Sequence, residues 1–182
     1  MARNTVFRSM HDVGLAAWFG GTLANAVSLN AAAAEADTAH GTGRVANAGW
    51  DRWTPVNAAA IGAHLVGSIG LLGANRDRLK AQQGVASMAV AKTALTAAAL
   101  GVTAYSRVLG GKVSAHTHVP AESGTQPTAE TPQDVAKAQQ QLSTLQWLVP
   151  VVTGALVVVS SFAGEQQRAS EVRRGLVSRL AG

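Results

Sequence analysis

The chain contains no cysteine, which excludes disulfides, thiol catalysis and thiolate metal sites. It is also short of charge: Asp, Glu, Lys and Arg make up 14% of its 182 residues, against roughly 25% in soluble domains. Aromatic residues reach only 4% although hydrophobic residues reach 47%, so the apolar mass is Ala, Val and Leu rather than large rings. Catalytic signatures are missing too. There is no phosphate-binding glycine loop, HExxH or Ser-His-Asp set, and "GLAAWFGG" does not follow GxGxxG. These absences predict a protein that is not an enzyme and holds no resident cofactor or metal.

The few charges leave long windows open. Residues 13–34, 53–75 and 138–164 contain no Asp, Glu, Lys or Arg, and residues 81–106 contain only Lys92. A transmembrane helix needs about 20 mainly apolar residues, and each window meets that length. An Ala-rich soluble bundle would need charge on every exposed face, which these windows lack. Mean hydropathy is only +0.14 because a polar segment dilutes the spans. Arg3 and Arg8 followed by "NAAAAEA" also fit a secretion signal. The apolar stretch exceeds the usual core of about 7–15 residues, however, and Asn25 and Asn30 interrupt it, so a retained span is expected.

The predicted fold is all-α: a polytopic membrane protein, one domain over 1–182, built as a four-helix transmembrane bundle. Spans are expected near 10–34, 54–75, 84–109 and 142–164, with an outer loop over 110–131 and a tail over 165–182. Lys and Arg gather before span one (Arg3, Arg8), in "NRDRLK", and in the tail (Arg168, Arg173, Arg174, Arg179). The positive-inside rule then puts both termini in the cytoplasm of a multi-pass plasma-membrane protein. The net charge of +5 therefore reads as topology, not as a nucleic-acid surface. The expected partners are the lipid bilayer and other membrane subunits, with no nucleic acid.

Local signals refine this. "WTPVN" offers Thr54 as a cap and Pro55 as the first helical residue, with Trp50 and Trp53 as an interfacial belt. "TPQD" repeats the cue with Thr131, and "DVAKAQQQLSTLQWLVPVV" reads as one helix that rises outside the membrane and continues into span four. Pro150 is expected to kink it. The Gly-, Ser-, Thr- and Pro-rich stretch between Lys112 and Thr131 reads as a mobile loop. Small residues at four-residue steps, Ala17 and Gly21 on span one and Ala63 and Gly67 on span two, are candidate packing positions. No internal repeat is evident.

Ionisable residues inside a membrane are costly and mark function or packing. His11 and Asp12 open span one, Lys92 lies about 12 Å into span three by helix rise, and Glu165 closes span four. A lysine stem can snorkel, so His11, Asp12, Lys92 and Glu165 form an expected polar cluster. His64 is open to three readings: a haem ligand, a proton carrier or a satisfied core histidine. His11 is expected more than 10 Å from it, which disfavours a bis-His haem. A hydrogen bond from His64 to Asn25 is expected instead. The "HTH" of 116–118 reads as loop rather than metal site.

"HDVGLAAWFGG" resembles the first span of small four-span bacterial membrane proteins, the copper-resistance D-type domains and several uncharacterised families among them. A weaker echo lies in "WTPVN". The Ala-, Gly- and Val-rich composition resembles that of actinobacterial proteins. With 3 Met in all, the copper-handling pattern is missing and no copper role is carried over. The expected function is a non-enzymatic membrane subunit or scaffold of a cell-envelope or respiratory complex. The alternatives are a small transporter or channel, and a haem- or quinone-binding anchor.

Overall fold

The computed structural model describes residues 4–82, 84–116 and 119–165. Helix covers 84% of them, so the fold is all-α. The tail after 165, Arg3, Gln83 and the Thr117–His118 part of the "HTH" motif lie outside the described residues.

Helix α1, Thr5–Ala24, continues without a break through a π-helical turn, Asn25–Leu29, into α2, Asn30–Ala33. The run closes as Ala34, Glu35 and Ala36 each turn their N–H back three residues, onto Ala31, Ala32 and Ala33. This tightening satisfies carbonyls that a helix end leaves unpaired.

Helix α3 corrects the sequence reading. It runs from Ala39 to Ala74 and does not begin at Thr54. Its cap is Thr38, in extended conformation, whose hydroxyl accepts the Gly41 N–H at 3.0 Å. Thr54 instead donates its hydroxyl to the Trp50 carbonyl at 2.8 Å, and Pro55 lies inside the helix. The charges of 35–52 read as loop, yet the segment carries its own cap and packs despite three glycines: Gly43 lies against Val119, Gly49 against Leu29, and Ala46 is buried.

After the short α4, Arg76–Ala81, the chain enters α5, Val85–Ser114, through Gly84 at φ 82. That left-handed conformation favours glycine. The expected mobile loop is tied down. It forms a hairpin of β1, Ala121–Ser123, and β2, Gln126–Pro127, paired antiparallel. Thr131 is not a simple helix cap here: it accepts the Thr128 N–H at 2.9 Å and donates to the Pro120 carbonyl at 2.7 Å. Helix α6 then runs from Gln133 to Glu165 with Pro150 inside it.

The long helices form an open ring. Helix α1 packs along α3 and touches α6, and α6 packs along α5, while α3 and α5 hardly touch. Trp18 is fully buried at the centre, against Ala99 of α5 and Val149 of α6. Its indole donates to the Thr103 hydroxyl at 3.2 Å. At the hairpin end, Leu109 and Val113 meet Val135 and Ala138. There Asn30 accepts from the Trp50 indole at 3.0 Å and donates to Gln146 at 2.6 Å, joining the first helical run to α3 and α6. Trp50 and Trp53 therefore face bundle partners, Asn30 and Gly21, and are only partly exposed.

Three helices, α3, α5 and α6, are long and apolar enough to cross a membrane by length and composition. Helix α1, which carries Arg8, His11 and Asp12, is not among them. Side chains such as Val66, Val90, Val108, Val151, Val158 and Phe162 stand exposed along the three.

The α1–α3 contact rests on glycine. A Cβ at Gly67 would overlap the backbone of His11 and Phe7, and one at Gly14 would overlap that of His64 and Ala60. Gly67→Ala should therefore cost about 1–3 kcal/mol, since backbone cannot move aside as a side chain can. Gly62→Ala, in open space on the same helix, should be neutral or stabilising by up to about 1 kcal/mol. Thermal unfolding in detergent measures both.

Candidate functional site

The two glycines sit in a repeated pattern, His11-Asp-Val-Gly14 on α1 and His64-Leu-Val-Gly67 on α3. Each glycine rests on the other helix at its histidine N–H and at the carbonyl four residues before it. The antiparallel crossing is thus locally symmetric. Because each histidine precedes its glycine by three residues, the two rings meet, with centroids 4.6 Å apart and planes at 47°. Both histidines are buried.

This overturns the expected separation of more than 10 Å. That distance was counted along span two from Thr54, whereas α3 starts at Ala39 and crosses α1 on glycine. The expected bond from His64 to Asn25 is absent as well. His64 Nδ1 donates to the His11 carbonyl at 3.3 Å, and the Ser68 hydroxyl lies 3.5 Å from its Nε2. Asn25 stands in the π-helical turn with its buried Nδ2 lacking a partner among the described residues.

Lys92 of α5 completes the group. Its ammonium donates to His11 Nε2 at 3.1 Å, and His11 Nδ1 lies 2.7 Å from the Asp12 carboxylate. An ammonium has donors only, so Nε2 accepts and the ring proton sits on Nδ1, donated to Asp12. The result is a line from Asp12, whose side chain is 62% exposed, through a buried imidazole to a cation on the far helix. The structure thus brings together His11, Asp12, Lys92 and His64. Glu165 ends α6 in an exposed position.

The packing residues divide similarly. Gly67 meets the α1 backbone and Gly21 meets the Trp53 ring, while Ala17 and Ala63 are half-buried. Gly14, which four-residue spacing did not select, makes the contact equivalent to that of Gly67. Its signal was the His-x-x-Gly repeat.

Two cavities occupy the seam between α3 and α5. One, of about 280 Å³, lies towards the hairpin and is walled by Trp50, Trp53, Ile61, Leu100, Thr103 and Gln146. The other, of about 360 Å³, includes Lys92, Ser68 and Arg78 in its wall. Arg78 donates to Gln82 at 2.8 and 3.1 Å and to Asn75 at 3.2 Å. Burial, and then the charge of Arg8, lower its pKa from the usual guanidinium value. A guanidinium nevertheless stays charged, so these neutral acceptors hold a cation.

The site does not fit a haem. The imidazoles face each other across helices whose backbones touch at Gly14 and Gly67, leaving no cleft for a macrocycle between them. Among the described residues, no three His, Asp or Glu side chains gather as a metal ion would require. No protein-family model matches the chain, and no curated protein or solved structure matches it.

The Lys92–His11 contact has a measurable signature. His11→Leu should cost about 1.5–3 kcal/mol by removing an acceptor from a charged donor in the bundle. Lys92→Met should cost less, because it removes the charge with the bond. Combined, the two substitutions should cost clearly less than the sum of the singles. Additive costs in a double-mutant cycle would show that the two side chains are not coupled.

Proposed function

We propose that the chain is a four-span integral membrane protein that works by association, as a non-enzymatic subunit or scaffold of a larger membrane complex. The observation that carries this reading is the open seam. Helices α3 and α5 are adjacent long helices, both apolar enough to cross a bilayer, and yet they hardly touch. Between them lie two cavities, with side-chain contact limited to places such as the Arg107–Asp51 ion pair at 3.6 Å. A bundle that is complete by itself would close that seam, since small residues let apolar helices approach.

Helix α1 is taken as the fourth span. Its helical run from Thr5 to Ala33 covers 29 residues, more than the roughly 20 that a crossing needs. Its buried positions, Leu15, Trp18 and Thr22, serve the bundle, and its charged residues cluster at the N-terminal end. The basic segments at that end and in α4 support a cytoplasmic placement of both. The hairpin and the first half of α6 then stand outside.

The line from exposed Asp12 through His11 to Lys92 favours a second reading, a small transporter that moves a charge or proton along it. Purified protein in liposomes separates the two readings by the presence or absence of flux.

Mild-detergent extracts of native membranes should contain the chain in a particle larger than its own 18.6 kDa plus detergent, with at least one further polypeptide at constant ratio. Recovery as a lone chain from cross-linked membranes would overturn the scaffold reading. Recovery in the supernatant after alkaline carbonate washing would overturn membrane integration itself.

A further inference from the structure

The seam cavity at the α4 end is amphipathic along its length. Its wall on α5 runs from Val85 to Leu100, a stretch of about 22 Å at 1.5 Å per residue. That exceeds half the roughly 30 Å hydrocarbon core of a bilayer. Leu65, Ile69, Leu72, Met88 and Leu100 make the long part apolar. Arg78 lies at the end where α4 begins, and Lys92 projects from the side.

Both cations are held in place rather than hanging in solvent. The Lys92 ammonium gives one of its three donors to His11 Nε2 and is set against the wall by it. Asn75 and Gln82 orient the Arg78 guanidinium. Arg8 of α1 is near enough to repel both Arg78 and Lys92, and Asp12 attracts Lys92. Glu165 follows Ala163 of the wall by two residues on α6. An apolar slot with a guanidinium at its α4 end and an ammonium about halfway along its α5 wall, leaving about 12 Å of apolar wall beyond Lys92, matches a phosphate carrying a fatty tail. Arginine forks suit phosphate oxygens, and basic pockets between spans bind anionic head groups.

We propose that this cavity binds an anionic phospholipid, with its phosphate between Lys92 and Arg78 and one acyl chain along the α3/α5 seam. The proposal rests on the membrane reading above and adds to it the class of ligand that fills the seam at this end. At this end a partner helix is disfavoured because it would need an acid placed opposite both cations, and the hairpin-end cavity is left to the partner subunit of the reading above.

The test uses full-length protein extracted from membranes and stripped of lipid in neutral detergent. Recovery outside the membrane fraction would sink the earlier reading before this one is measured. Phosphatidylglycerol should raise the melting temperature by about 5 °C, as saturating ligand does for a protein of this size. Phosphatidylcholine and inorganic phosphate should raise it by less than half as much. Lys92→Met and Arg78→Gln should each remove most of the phosphatidylglycerol shift, while Lys137→Gln on α6 should keep it. Arg78 lies outside the bundle core, so its variant retains the fold if that of Lys92 does not. Equal shifts with both lipids, an equal shift with inorganic phosphate, or full shifts in both variants would overturn the proposal. A photo-cross-linker at Thr96 in native membranes should capture lipid, and capture of a polypeptide instead would overturn it as well.

Discussion

The contact between the α1 and α3 backbones, made possible by Gly14 and Gly67, is the constraint on which the rest of the bundle depends. In a bilayer, the setting proposed for these helices, association would gain little from apolar burial, because hydrocarbon would surround them whether or not they touch. Close approach must supply the dispersion contacts, and a glycine on each helix permits it twice. The spacing of histidine and glycine then fixes where the polar side chains go. His11 and His64 are brought ring to ring, and His11 is left with one nitrogen facing α5. Lys92 meets that nitrogen. A packing requirement thereby becomes an electrostatic arrangement.

The same contact leaves the other side of the ring unfilled. With α1 held on α3, Trp18 reaches Ala99 and Val149, and Phe19 lies over Gly154 of α6. Helix α5 is drawn against α6 and tied at the hairpin end by Leu109, Val113, Val135 and Ala138. Across the α3–α5 side the described residues offer less: a half-exposed ion pair of Arg107 with Asp51 at 3.6 Å, and Ile61 and Leu100 at the edge of the Trp18 cluster. The Lys92–His11 bond crosses towards α1 without closing the seam, and the cavities lie there. Arg78 at the α4 end, Lys92 partway along and an apolar wall around them give that seam its chemical character.

Much of the architecture was legible in the sequence. Three of the four windows foretold long apolar helices, whereas the first fell on α1, which is not among those apolar enough to cross a membrane, and "TPQDVAKAQQQ" foretold a helix running into the last of them. The windows misled where charge was taken to mean loop: residues 39–53 are polar yet helical, because Thr38 caps them. The hairpin was hidden because its Gly and Thr residues read as freedom, whereas Thr131 and Thr128 use their hydroxyls to hold it. Of the polar residues, Lys92, His11 and Asp12 stood out by their cost in a membrane. Asn30 and Gln146 did not, since an amide carries no charge to draw attention, and they nonetheless join three helical segments with Trp50.

The sequence by itself determined helix content, the three long apolar helices and the residue types at the polar site, because these follow from charge spacing and propensity along one chain. Only the tertiary structure decided that His11 and His64 touch, that Lys92 donates to His11, and that α3 and α5 part. Those facts depend on where two helices cross. A crossing is set by the pairing of small residues from different segments, and an Ala- and Gly-rich chain offers many such pairings of nearly equal merit along its length. Shape complementarity over whole helix faces, with Gly14 against His64 and Gly67 against His11, selects one of them.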